Sequence, residues 1–123
     1  MHRTFLRAKL HRAVVTSADP NYEGSISIDR VLCQEAGLLE FEQVSIYDIG
    51  NAARFTTYVI YGEPGQIQIN GAAARLVNVG DRVIICAYVA LEPKEIVKHT
   101  TRIVQVGDDN RVVSVHTNTV KEP

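Results

Sequence analysis

In the stretch Tyr22-Glu23-Gly24-Ser25 a serine follows a glycine, and such a pair can cut its own backbone. The Ser25 hydroxyl attacks the Gly24 carbonyl only where the peptide is held against the loss of amide resonance. Glycine lets the chain bend that closely without a Cβ clash. An isolated Gly-Ser pair reads as no more than a loop glycine leading into a strand, so the chemistry depends on the rest of the chain. No Ser-His-Asp order, metal-ligand spacing or phosphate loop competes for the role. His2, His11, His99 and His116 are scattered, and Gly62, Gly65 and Gly71 form no nucleotide fingerprint; no metal is expected.

The elements that must position these residues are mostly strands. Apolar and β-branched runs predict them over residues 13–16, 25–28, 44–47, 54–61, 66–69, 82–90, 101–106 and 111–115. The last two flank the turn cluster Gly107-Asp108-Asp109-Asn110 and read as a hairpin. Short helices fit between: one capped by Asp29 and stopped at Gly37, one over residues 72–77, and one opened by Pro93. Many short strands with tight connections and no βαβ repeat indicate a compact barrel or sandwich. The 123 residues are expected to form a single domain.

A net charge of −1 exerts no general pull toward nucleic acid or an anionic membrane. The longest apolar run, residues 83–91, is far too short to span a bilayer. Cys33 and Cys86 lack CxxC spacing and sit in apolar surroundings, as buried thiols of a reducing compartment do. Arg3, Arg7, Lys9 and Arg12 precede the first acid, Asp19. That bias suits a transit peptide, but the segment runs directly into a strand and is read as folded protein whose cations face an anionic substrate.

Taken together, Lys9-Leu10-His11-Arg12, Tyr22-Glu23-Gly24-Ser25, Arg54-Phe55-Thr56-Thr57-Tyr58 and Asn70-Gly71-Ala72-Ala73-Ala74 resemble the pyruvoyl-dependent aspartate decarboxylase family. The likeness runs from Met1 to about Val89. It implies a mainly β fold, a six-stranded double-psi β-barrel with short peripheral helices, assembled as a cytoplasmic homotetramer with sites near subunit interfaces. It also implies autocatalytic cleavage between Gly24 and Ser25, giving chains 1–24 and 25–123, with Ser25 converted to a covalent pyruvoyl group. That ketone would serve as the electron sink for removing the α-carboxylate of L-aspartate, yielding β-alanine for pantothenate synthesis. The need for a maturation factor is left open.

The same resemblance assigns roles. Tyr58 is the proton donor, Thr57 assists processing and meets substrate, Lys9 and Arg54 bind carboxylates, and Asn70, Gly71, Ala72 and Ala73 line the pyruvoyl pocket. His11 and Tyr22 are supporting residues near the cleft. Period-two alternation puts Arg54, Thr56 and Tyr58 on one strand face and Phe55 and Thr57 on the other; a bulge near Thr57 would bring it to the site. The connection through Gly62-Glu63-Pro64-Gly65 is shorter than the family's, and Ile26 stands where a small residue often follows the serine. Two other readings share these residues: a non-catalytic double-psi barrel used for binding or assembly, and a pyruvoyl decarboxylase acting on another amino acid such as glutamate.

Overall fold

A computed structural model describes residues 1–123. Nine strands form one hydrogen-bonded sheet in the order β2-β6-β3-β5-β4-β7-β1-β8-β9. They are β1 (Arg3–Val14), β2 (Ser17–Asp19), β3 (Ser25–Asp29), β4 (Gln43–Asp48), β5 (Arg54–Gly62), β6 (Ile67–Asn70), β7 (Arg82–Leu91), β8 (Thr100–Val106) and β9 (Val112–Thr119). Peripheral helices are α1 (Arg30–Ala36), a 3-10 helix (Gly71–Leu76) and α2 (Pro93–Ile96). The mainly β class and the short helices follow the sequence expectation. No helix is long and apolar enough to cross a membrane.

Alternation decides which face each strand buries. Leu10 and Ala13 of β1, Val83 and Ile85 of β7, Ile46 of β4, Val59 of β5, Ile26 and Ile28 of β3, and Ile67 and Ile69 of β6 join one cluster. Side chains of this size contribute roughly 1.5–3 kcal/mol each when fully buried. Neighbouring strands thus bury one face in a common cluster, and the opposite face carries the more exposed side chains. β5 is the hinge of this arrangement: residues 54–58 pair with β4, and residues 59–62 pair in parallel with β3.

The first strand is longer than expected, beginning at Arg3 rather than near residue 13. Its cations hide the alternation: Ala8 and Leu10 point inward while Arg7 and Lys9 stay partly exposed. β1 pairs antiparallel with β7 and parallel with β8, with register shifts between Leu6 and Ala8 and between His11 and Ala13. Arg12 lies in the second shift at φ 71°, where a side chain costs roughly 1–2 kcal/mol. The Arg82 guanidinium donates to the Arg12 carbonyl at 2.8 Å and offsets part of that strain. Buried Asn110, also left-handed at φ 61°, pairs its amide with Val14 N–H at 2.7 Å and Val14 C=O at 2.9 Å. It thereby ties the β8–β9 turn to the end of β1.

Helices form where a local cap supports them. Asp29 accepts from Val31 N–H at 2.8 Å, and Gly37 closes α1 at φ 76°. α2 is only Pro93–Ile96, held by a Glu92/Glu95 capping box. β2 carries no apolar alternation, and its pairing with β6 defines it.

Asp48, at the end of β4, is 2% exposed. One carboxylate oxygen accepts from Gly50 N–H at 2.7 Å, and the other is buried without a hydrogen-bond partner. Burial first, and the neighbouring Asp81 carboxyl second, raise the Asp48 carboxyl, while the Asp48 carboxyl beside it lowers Asp81. The pair stabilises the fold most between the two values. Stability falls as pH drops through the lowered Asp81 value and again as pH rises through the raised Asp48 value. Asp48→Asn keeps a donor toward Asp81, so denaturant midpoints measured across pH should show a decline on the alkaline side for the parent chain and none for the variant.

Candidate active site

Ser25 opens β3 and pairs with Asn70, the last residue of antiparallel β6. Both are buried, at 2% and 1% exposure. The Asn70 amide nitrogen donates to Ser25 Oγ at 2.9 Å and to Ser27 Oγ at 3.2 Å. Its orientation is set from behind. Gln68 Nε2 donates to Asn70 Oδ1 at 2.7 Å, and Gln68 Oε1 accepts from Ser17 at 2.7 Å and from Gln66 at 3.2 Å. With its oxygen occupied by Gln68, Asn70 can only present N–H groups to the serines. The Ser25 hydroxyl in turn donates to the Glu23 carbonyl at 3.2 Å. A hydroxyl held among fixed dipoles and away from bulk water suits attack on the adjoining carbonyl.

The glycine that this loop demands is Gly71 rather than Gly24. A Cβ built on Gly24 meets nothing within 4 Å, whereas one on Gly71 would lie 2.7 Å from Gly24 Cα and 2.9 Å from its nitrogen. Gly71 also adopts φ 77°, a region open mainly to glycine. The start of the 3-10 helix is therefore pressed against the Gly24 backbone. Ala72 is exposed and Ala73 is half-buried against the core. Tyr22 is 58% exposed beside this loop.

The cationic residues and Tyr58 lie on the outer face of the sheet. Lys9, Cys86, Ser45 and Thr56 stand opposite one another across β1, β7, β4 and β5. The next row is His11, Ile84, Tyr47 and Arg54. Tyr58 pairs with Gln43 and its ring centroid lies 6.3 Å from that of Phe41. The Arg54 guanidinium sits 4.6 Å above the Tyr47 ring. A cavity of about 180 Å³ opens among Gln43, Val44, Ser45, Cys86 and Tyr88. Burial lowers the His11 imidazole, with Lys9 and Arg12 adding to the effect, and its Nδ1 is buried without a partner. Burial raises the Cys86 thiol and pushes Cys33 up to about 12; both cysteines are free.

The structure thus forms two groups. Gly24, Ser25, Asn70 and Gly71 touch one another, while Lys9, Arg54 and Tyr58 share a sheet face with His11. Tyr58 is the link: β3 and β5 pair from Ile26 and Val59 onward, and Ser25 and Tyr58 each precede that pair by one residue. Lys9 is four strands along from β3 in the sheet order. Thr57 pairs with Val44 in an unbroken β4–β5 ladder, so the bulge expected near it is absent and it stays on the face of Phe55 and Val59. Sequence reasoning missed Gln68 and Ser27, which support Asn70, and the Tyr47–Tyr88 contact. The signal for the first two was the polar alternation Gln66, Gln68, Asn70 in an otherwise apolar strand.

Replacing Gly71 by alanine should cost about 2–4 kcal/mol through positive φ and overpacking. It should also displace the Gly24 backbone; denaturant unfolding together with the mass of the purified chain measures both effects.

The family model for aspartate decarboxylase matches residues 1–113. The chain is 54% identical over 115 residues to an aspartate 1-decarboxylase of Psychromonas ingrahamii, covering 92% of this chain and 91% of that one. It is 50% identical over 117 residues to one of Methylibium petroleiphilum, covering 94% and 98%, and 51% identical over 117 residues to one of Clostridium acetobutylicum, covering 94% and 92%. With a buried Gly24-Ser25 serine held by Asn70 and a likeness that spans nearly the whole length, this chain belongs to the aspartate decarboxylase family.

Proposed function

We propose that this protein is a pyruvoyl-dependent aspartate 1-decarboxylase, a lyase converting L-aspartate to β-alanine and CO2 for pantothenate synthesis after cutting itself at Gly24–Ser25. The observation that carries the reading is the buried Ser25 hydroxyl, fixed by Asn70 next to a Gly24 backbone that Gly71 alone can admit.

In processing, Ser25 Oγ adds to the Gly24 carbonyl carbon and the C–N bond breaks, leaving an ester and a free amine. Loss of the Ser25 α-proton then expels Gly24 as a carboxylate. The remaining dehydroalanine takes up water and releases ammonia, so residues 25–123 begin with a ketone. The Asn70 amide, the Gly71 turn and small Ala72 and Ala73 suit a compact carbonyl group at position 25, since a Cβ at Gly71 would fill the space beside Gly24. Bound there, the pyruvoyl group supplies the electron sink for decarboxylation.

The other residues bind and protonate. Arg54 offers a planar fork to one substrate carboxylate, and Lys9 a mobile point charge. Tyr58 Oη holds a proton for the carbon that CO2 leaves. His11, kept neutral, and Tyr22 support the cleft. The exposed outer face and the three strands that separate β1, with Lys9, from β3, with Ser25, support a homotetramer in which sites near subunit interfaces combine residues of neighbouring copies. Parallel pairs β1/β8, β2/β6 and β3/β5 within a largely antiparallel sheet support closure of six strands as a double-psi barrel, formed by one domain of residues 1–123.

Intact mass with a carbonyl-reactive probe should give two chains split at Gly24/Ser25, the larger one labelled. Ser25→Ala should stay whole, unlabelled and inactive; decarboxylase activity in that variant would refute the mechanism. Tyr58→Phe should be cut normally and turn over about 10²-fold more slowly. CO2 release from glutamate alone would point to the other substrate, and a stable unlabelled parent chain to a binding module.

A further inference from the structure

Arg54 is exposed, and its side chain makes no hydrogen bond or ion pair with another residue of the chain. What orients it is the Tyr47 ring, 4.6 Å below the guanidinium carbon and directly opposite on β4. That ring is itself anchored: the Tyr47 hydroxyl lies 2.8 Å from the Tyr88 hydroxyl on β7. Tyr47 is level with Ile84, and Cys86 lies between Ile84 and Tyr88 along β7. The two rings therefore lean toward each other along the sheet and meet over Cys86 and Ser45, beside the cavity that both of these residues line.

We infer that the Tyr47–Tyr88 hydroxyl pair is a positioning device for Arg54, clamping the Tyr47 ring so that the guanidinium presents its fork to a substrate carboxylate. This rests on the carboxylate-binding role given to Arg54 above. A long cationic side chain on an open face otherwise samples many rotamers, and binding must suppress them. Stacking on a fixed aromatic plane removes that freedom beforehand. Hydrogen bonding to Tyr47 and burial both raise the Tyr88 phenol, so its proton stays in place near neutrality.

Tyr88→Phe deletes one hydroxyl and keeps the ring. Cleavage at Gly24–Ser25 should be unaffected, KM for aspartate should rise about fivefold, and kcat should change by less than about twofold. Tyr47→Phe should match it, and the double variant should be no worse than either, because both remove the same bond. In an Arg54→Ala background Tyr88→Phe should have no further effect. Succinate, which carries the two carboxylates without the amine, should bind the variant about fivefold more weakly by calorimetry, independent of turnover. Unchanged KM and succinate affinity in Tyr88→Phe, or additive effects with Arg54→Ala, would overturn the inference. Tyr88-dependent succinate binding without aspartate turnover would leave it standing and remove the decarboxylase reading; a parent chain that binds no succinate would remove both.

Discussion

The site is organised around a single side-chain amide. Asn70 ends β6 opposite Ser25, and its nitrogen bridges Ser25 and Ser27 in a space closed to water. An amide can rotate by half a turn at almost no steric cost, which would present an oxygen to the serine and repel its lone pairs. Gln68 prevents this by donating to the amide oxygen, and Ser17 and Gln66 fix Gln68 in turn. A buried polar network of this kind rigidifies only when its members are satisfied. Here the direction of each dipole follows from the next, so the orientation of one hydroxyl is determined from the far side of β6.

The second constraint is one of distance. Anionic substrate calls for cations, and a small β protein has no room for cations inside its core. Lys9 and Arg54 are accordingly on the outer sheet face, Arg54 exposed and Lys9 partly so. Ser25 has the opposite surroundings, because β3 is buried along its whole length. β5 reconciles the two demands because it pairs first with β4 and then with β3. Its outward residues Arg54 and Tyr58 thus run from the cationic rows to the edge of the serine site.

A good part of this was readable in the residue order. Asp29 and Gly37 mark the ends of α1 because caps act through neighbouring backbone groups. The turn before β9 and the alternation of Arg54, Thr56 and Tyr58 are equally local. The start of β1 was hidden because its outward residues are cations, so the inward Ala8 and Leu10 did not stand out as a period. β2 was invisible for a different reason: three residues without apolar alternation become a strand only through their pairing with β6.

What the sequence by itself determined was local: a serine behind a glycine, the caps of α1, and mostly strands. These follow from residue type and short spacing, which travel with the chain whatever its fold, whereas the roles of Tyr58, Lys9 and Arg54 were implied only by the resemblance of its short blocks to a family. The tertiary structure decided where the crowding falls, since Gly71 rather than Gly24 must lack a side chain. It also decided that Thr57 faces inward, that Gln68 steers Asn70, and that Tyr88 holds the ring beneath Arg54. Each of these depends on the register between strands distant in sequence, and register is settled by burying one face of every strand in a common core.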